Sequence, residues 1–126
     1  MDITTYKELF MPTVSDFQSV INSISASIPS SGTTTPAIDL GGTSLVGIQL
    51  PAAFTGTSIS FTVATTLSGT YQGVIDGSGT ALSKTIAAGK YLMLDPSEFA
   101  GIQFLKIVSS ATEAAQRDLI LITRPV

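Results

Sequence analysis

Nine carboxylates and six cationic side chains are what this chain has for acid–base chemistry, because it contains no histidine and no cysteine. Without histidine there can be no Ser-His-Asp triad and no imidazole ligand for a metal. Without cysteine there is no thiolate nucleophile, disulfide or thiolate-held metal. Asp76 and Asp95 are the carboxylates from which an acid–base pair could be built, yet they stand in separate loops and no spacing draws them together. Asp76-Gly77-Ser78-Gly79-Thr80 has the outline of a calcium loop, with one carboxylate where such loops use several and a bidentate Glu. The same residues are ordinary hairpin-turn chemistry. Gly77-Ser78-Gly79 lacks the Gly-x-Ser-x-Gly spacing of a nucleophile elbow, and no glycine loop suited to phosphate is present. Sugar-binding platforms are usually aromatic. Here there is no Trp, and Tyr6, Tyr71 and Tyr91 are the tyrosines. The chain is therefore expected to be no enzyme and to use no cofactor or metal.

Charge points the same way. A formal charge of −3, with basic residues scattered rather than clustered, disfavours a nucleic-acid-binding face. Lys84 and Lys90 flank a predicted turn, and Arg117 and Arg124 bracket the last predicted strand. Charged residues are 12% of the chain, about half the usual quarter, and Ser and Thr supply the missing polarity. Hydroxyl-rich surfaces suit strands, and they suit burial against another subunit, where desolvating charge is expensive. No apolar run approaches the ~20 residues of a membrane helix. Residues 1–8 lack a basic segment leading into an apolar one, so signal-directed export is not expected.

The elements that must position these side chains fall into two parts. At 126 residues, one domain with a real core and a short appendage is expected. Phe17, Val20, Ile21, Ile24 and Ile28 follow i, i+3, i+4, i+7, i+11, the stripe of one helix face, and predict a helix over 15–28. Ser15 and Gln18 form a capping box, and Pro29 stops the helix. Such a Ser-rich helix is weak alone, so the stripe is a candidate interface to the domain or to a neighbour. Residues 30–36 read as an extended linker, which makes 1–36 an N-terminal arm, helical or extended, and 37–126 the folded domain.

Within that domain, about eight short strands are predicted, near 37–40, 44–50, 57–66, 70–75, 81–86, 90–94, 102–108 and 118–124. Ser58-Ile59-Ser60-Phe61-Thr62-Val63-Ala64 alternates most cleanly, and Asp95-Pro96-Ser97-Glu98-Phe99 can open a single helical turn. The pattern predicts an all-β antiparallel sandwich or jelly roll. Leu45-Val46-Gly47-Ile48, Leu92-Met93-Leu94 and Leu119-Ile120-Leu121-Ile122 are apolar on both faces. A two-layer sandwich covers one face of each sheet, so these strands call for a second cover.

The segments 45–56 (Leu45-Val46-Gly47-Ile48-Gln49-Leu50-Pro51-Ala52-Ala53-Phe54-Thr55-Gly56), 91–96 (Tyr91-Leu92-Met93-Leu94-Asp95-Pro96), 99–109 and 118–126 (Asp118-Leu119-Ile120-Leu121-Ile122-Thr123-Arg124-Pro125-Val126) resemble small virion structural proteins of tailed bacteriophages. The resemblance covers roughly residues 40–126 and leaves the N-terminal 36 aside. It implies a virion component, with a capsid decoration (cement) protein on the head surface favoured over a tail, baseplate or fibre-base protein. It also implies synthesis in the host cytoplasm, partners among the major capsid protein and other virion proteins, and a homo-oligomer, for which local threefold sites on a shell favour a trimer. A virion-displayed glycan-binding module is the alternative of another class.

Overall fold

Alternation of apolar and hydroxyl side chains sets the strands, and one of them carries the pattern most plainly. In Ser58–Ala64, Ile59 and Phe61 are buried and the intervening Ser60 is not. The structure, a computed structural model, describes residues 21–125. Its strands are β1 (Asn22–Ile28), β2 (Ile38–Asp39), β3 (Thr43–Gln49), β4 (Ser58–Ala64), β5 (Gln72–Gly73), β6 (Ser83–Thr85), β7 (Tyr91–Met93), β8 (Phe104–Ser109) and β9 (Arg117–Pro125), with one helical turn, α1 (Pro96–Phe99).

These strands form two antiparallel sheets. The first has the order β1-β9-β3-β7; the second has β2-β8-β4-β5, with β6 also paired to β4. Ala26, Ile28, Leu45, Ile48, Leu119 and Leu121 of the first sheet share one core with Ile38, Ile59, Phe61, Leu105 and Ile107 of the second. Each buried Ile, Leu or Phe among them contributes about 1.5–3 kcal/mol by leaving water. The predicted all-β sandwich is what the chain forms.

The turn chemistry also behaves as its residues dictate. Asp76 Oδ1 accepts from the N–H groups of Ser78 and Thr80 at 2.8 and 3.0 Å, closing the hairpin bridged by Ile75 and Ala81. Asp95 caps α1 by accepting from Ser97 N–H at 3.0 Å, and Pro96 sits at the start of the turn, where a missing N–H costs nothing. That turn carries Phe99 into the core against Phe61, with ring centroids 5.1 Å apart and planes at 76°.

The helical reading of the N-terminal stripe is corrected over its second half: Asn22–Ile28 is β1, paired with β9 over all seven residues. Ile21, Ile24 and Ile28 satisfy a spacing of three and four, but Ile24, Ala26 and Ile28 equally satisfy a spacing of two, with serines between. β9 offers a partner strand, whereas a Ser-rich helix of this length has little stability of its own. The first half of the predicted helix, with Phe17 and Val20, lies outside the described residues.

The linker reading is corrected too. Residues 31–35 are stitched to the sandwich: Ser109 N–H donates to Thr33 O at 2.7 Å and Thr35 N–H to Ile107 O at 3.0 Å. The Thr35 hydroxyl, buried, accepts from Ile107 N–H at 3.0 Å. Residues 22–35 are thus part of the domain rather than an arm leading into it.

Candidate interaction surface

A single bulge in β3 determines which side chains the first sheet turns outward. The register with β9 steps from Leu45↔Thr123 to Gly47↔Ile122, leaving Val46 as the extra residue. Leu45 and Ile48, three apart, can then both face the core, as two residues on opposite parities of a regular strand could not. Past the bulge, Gly47 and Gln49 point away from it.

The pairings then run straight across all four strands. Ile24, Leu121, Ile48 and Leu92 make an inward row. On either side of it, Ser25–Ile120–Gln49–Tyr91 and Ser23–Ile122–Gly47–Met93 face outward. Met93 is 82% exposed, Tyr91 49% and Ile120 37%, and Ile122 is half-buried. The Tyr91 side chain lies over Gly47: a Cβ there would collide with the Tyr91 ring and hydroxyl. Glycine at 47 is therefore a matter of space, the bed on which the tyrosine rests. The two outward rows hold no charged side chain. Ile120, Ile122, Tyr91 and Met93 come from the very strands whose two-faced apolar pattern called for a second cover. No other described residue provides one.

The three described residues of the predicted interface, Ile21, Ile24 and Ile28, do not form one surface. Ile28 is wholly buried and Ile24 half-buried, both on the inward side of β1, while Ile21 is 67% exposed. Only Ile21 of the described three is available to a partner. The two tyrosines considered for sugar binding are separated as well. Tyr91 is in the first sheet, whereas Tyr71 adjoins β5 of the second, donates its hydroxyl to Leu67 O at 2.7 Å, and has Lys106 Nζ 4.5 Å from its ring centroid.

Among the carboxylates, Asp76 and Asp95 are absorbed by their own turns. Backbone hydrogen bonds hold both below the ordinary value, from Thr80 and Ser78 for Asp76 and from Ser97 for Asp95. The buried carboxylate is one that the sequence did not single out. Glu113 accepts from Thr55 N–H at 2.9 Å, Gly56 N–H at 3.0 Å, Ser109 Oγ at 3.2 Å and Arg117 Nε at 2.9 Å. Burial alone would raise its pKa, but the Arg117 guanidinium and the two N–H groups outweigh that and hold it below the usual range. Every oxygen is engaged, so Glu113 ties loops together rather than offering a base. Among the described residues no group of three or more carboxylates could hold a metal, and no helix is long and apolar enough to cross a membrane.

No family model, curated protein or solved structure matches this chain.

Proposed function

We propose that this protein is a structural component of a phage particle, a capsid decoration protein that docks on the head shell through the outer face of its first sheet. The observation that carries the reading is the pair of outward rows with Ile120, Ile122, Tyr91 and Met93. They make an apolar face whose two rows carry no charge; along β9 it is flanked by Asp118, held by hydrogen bonds from Ser27 and Gln116, and by Arg124. Apolar area removed from water gives about 25 cal/mol per Å², with no charge to desolvate against it. A modest contact of this sort becomes effective when symmetry repeats it over a shell. The partner in this reading is the major capsid protein, the location is the virion surface, and the protein performs no turnover. The resemblance of residues 40–126 to phage virion proteins supports the head assignment.

Mass spectrometry of purified virions tests the reading by copy number. Tens to hundreds of copies per particle are expected. A few copies would move the protein to the tail or baseplate, and absence would remove it from the virion. Recombinant protein added to undecorated heads should bind, and Met93→Asp with Ile120→Asp should abolish binding while leaving the fold intact. Unchanged binding by that variant would rule out this face.

A further inference from the structure

Sheet edges are where one chain can pair with another, and proteins blunt them with short strands, charges, prolines or bulges. Most edges here are blunted by length: β2 and β5 have two residues each, and β6 and β7 have three. β1 has seven. Its sequence, Asn22-Ser23-Ile24-Ser25-Ala26-Ser27-Ile28, has no charge and no proline, and its register with β9 is unbroken. Among the described residues no strand pairs with its other side.

We propose that β1 is a homodimerising edge: a second copy of this chain adds its own β1 antiparallel to this one, across a twofold axis at Ser25. The two four-stranded sheets then become one of eight strands. Self-complementarity is what selects a second copy as the occupant. With Ser25 opposite Ser25, Ile24 meets Ala26, Ser23 meets Ser27 and Asn22 meets Ile28, so all seven residues pair. Even-numbered residues oppose even-numbered ones, which keeps Ile24, Ala26 and Ile28 of both copies on the core side and the serines on the outer side. No like charges are brought together, and the small Ser and Ala side chains let the backbones approach closely. Ser23 and Ser25 also end the two outward rows, so experiment separates the readings: self-association is measured on the free protein and shell docking by binding to heads. It commits to a twofold pair, where the phage resemblance favoured a trimer. Strand addition over seven residues is a small contact, below the ~1,200 Å² of standard stable interfaces, so association is expected to depend on concentration.

The absence of cysteine makes the register testable in the 126-residue chain. Under mild oxidation Ser25→Cys should form a disulfide dimer, because the two introduced thiols face each other at the axis. Ser78→Cys, in the exposed turn of the Ile75–Ala81 hairpin, measures random collision, and Ser25→Cys should exceed it on the order of tenfold through the raised effective concentration. Ser23→Cys and Ser27→Cys should each crosslink poorly alone and well when mixed, since they oppose one another. Sedimentation of the unmodified protein should show a concentration-dependent dimer that Ser25→Lys, a change at an exposed position, converts to monomer. A protein that stays monomeric at all concentrations, or a Ser25→Cys yield no higher than that of Ser78→Cys, would overturn the proposal. So would efficient crosslinking of Ser23→Cys with itself.

Discussion

Arg117 Nε donates to Glu113 Oε1 at 2.9 Å, with the arginine side chain 15% exposed and the glutamate 0%. The two residues are four apart, but no helix holds them. Glu113 sits in the loop before β9 and Arg117 begins that strand. Backbone bonds from Ser31 N–H to Glu113 O and from Glu113 N–H to Gly32 O bring the 29–35 segment to the same point. Glu113 thus joins three stretches of chain, 31–32 through its backbone and 55–56 and Arg117 through its carboxylate.

Glu113→Gln should destabilise the domain by roughly 2–4 kcal/mol, because an amide cannot satisfy both backbone donors and leaves Arg117 without its counter-charge. Urea unfolding gives the value. A loss under 1 kcal/mol would mean that the loops hold together without the carboxylate.

Acid should weaken the fold in a defined direction. The folded pKa of Glu113 lies below its ordinary 4.5, so its stabilisation is fully present above that value and is lost as pH falls through the folded pKa. Asp118, lowered by hydrogen bonds from Gln116 and Ser27, has the same sign below its ordinary 3.8, as do Asp76 and Asp95. Stability measured in urea should be flat from neutral pH down to the ordinary carboxylate range and fall beneath it. The fall should be shallower in Glu113→Gln; identical slopes would contradict the role given to Glu113.

Gly47→Ala should displace the Tyr91 ring, but at a cost below about 1 kcal/mol, because the ring is half exposed and can swing outward. The chain has no Trp, and in a Tyr6→Phe, Tyr71→Phe background tyrosine emission comes from Tyr91 alone and follows the displacement. Full stability with an unchanged tyrosine signal would show that Tyr91 does not rest on this glycine.

Phe99→Ala should cost about 3–5 kcal/mol, since it empties the buried space against Phe61. Phe99→Leu should cost markedly less. The comparison of their urea midpoints separates loss of volume from loss of the ring contact.

Much of the second sheet was legible because its signals are local. Ile59 and Phe61 alternate with hydroxyls, Asp76 and Gly79 announce a turn, and Asp95-Pro96 announces a helical turn. Asn22–Ile28 reads as helix because Ile24 and Ile28 fit both periods, and Ala26 alone sides with the strand. What decides between them is β9, with Ser27 and Asp118 hydrogen-bonded 91 positions apart, and no local pattern reports such a partner. The two-faced character of β3, β7 and β9 could be read, but not that the three are neighbours in one sheet. Glu113 carried only a faint mark, a carboxylate four residues before an arginine. Its burial depends on two loops that arrive from elsewhere.

The placement of β9 between β1 and β3 has a consequence for the order of synthesis. β1 leaves the ribosome early and waits for a strand made some ninety residues later. Pairings so distant in sequence are slow to close. Ile120 and Ile122 belong to that late strand, so neither outward row exists on a nascent chain. Only a finished domain can present the apolar face. The arrangement delays capture by any partner that binds there until translation has passed the last strand.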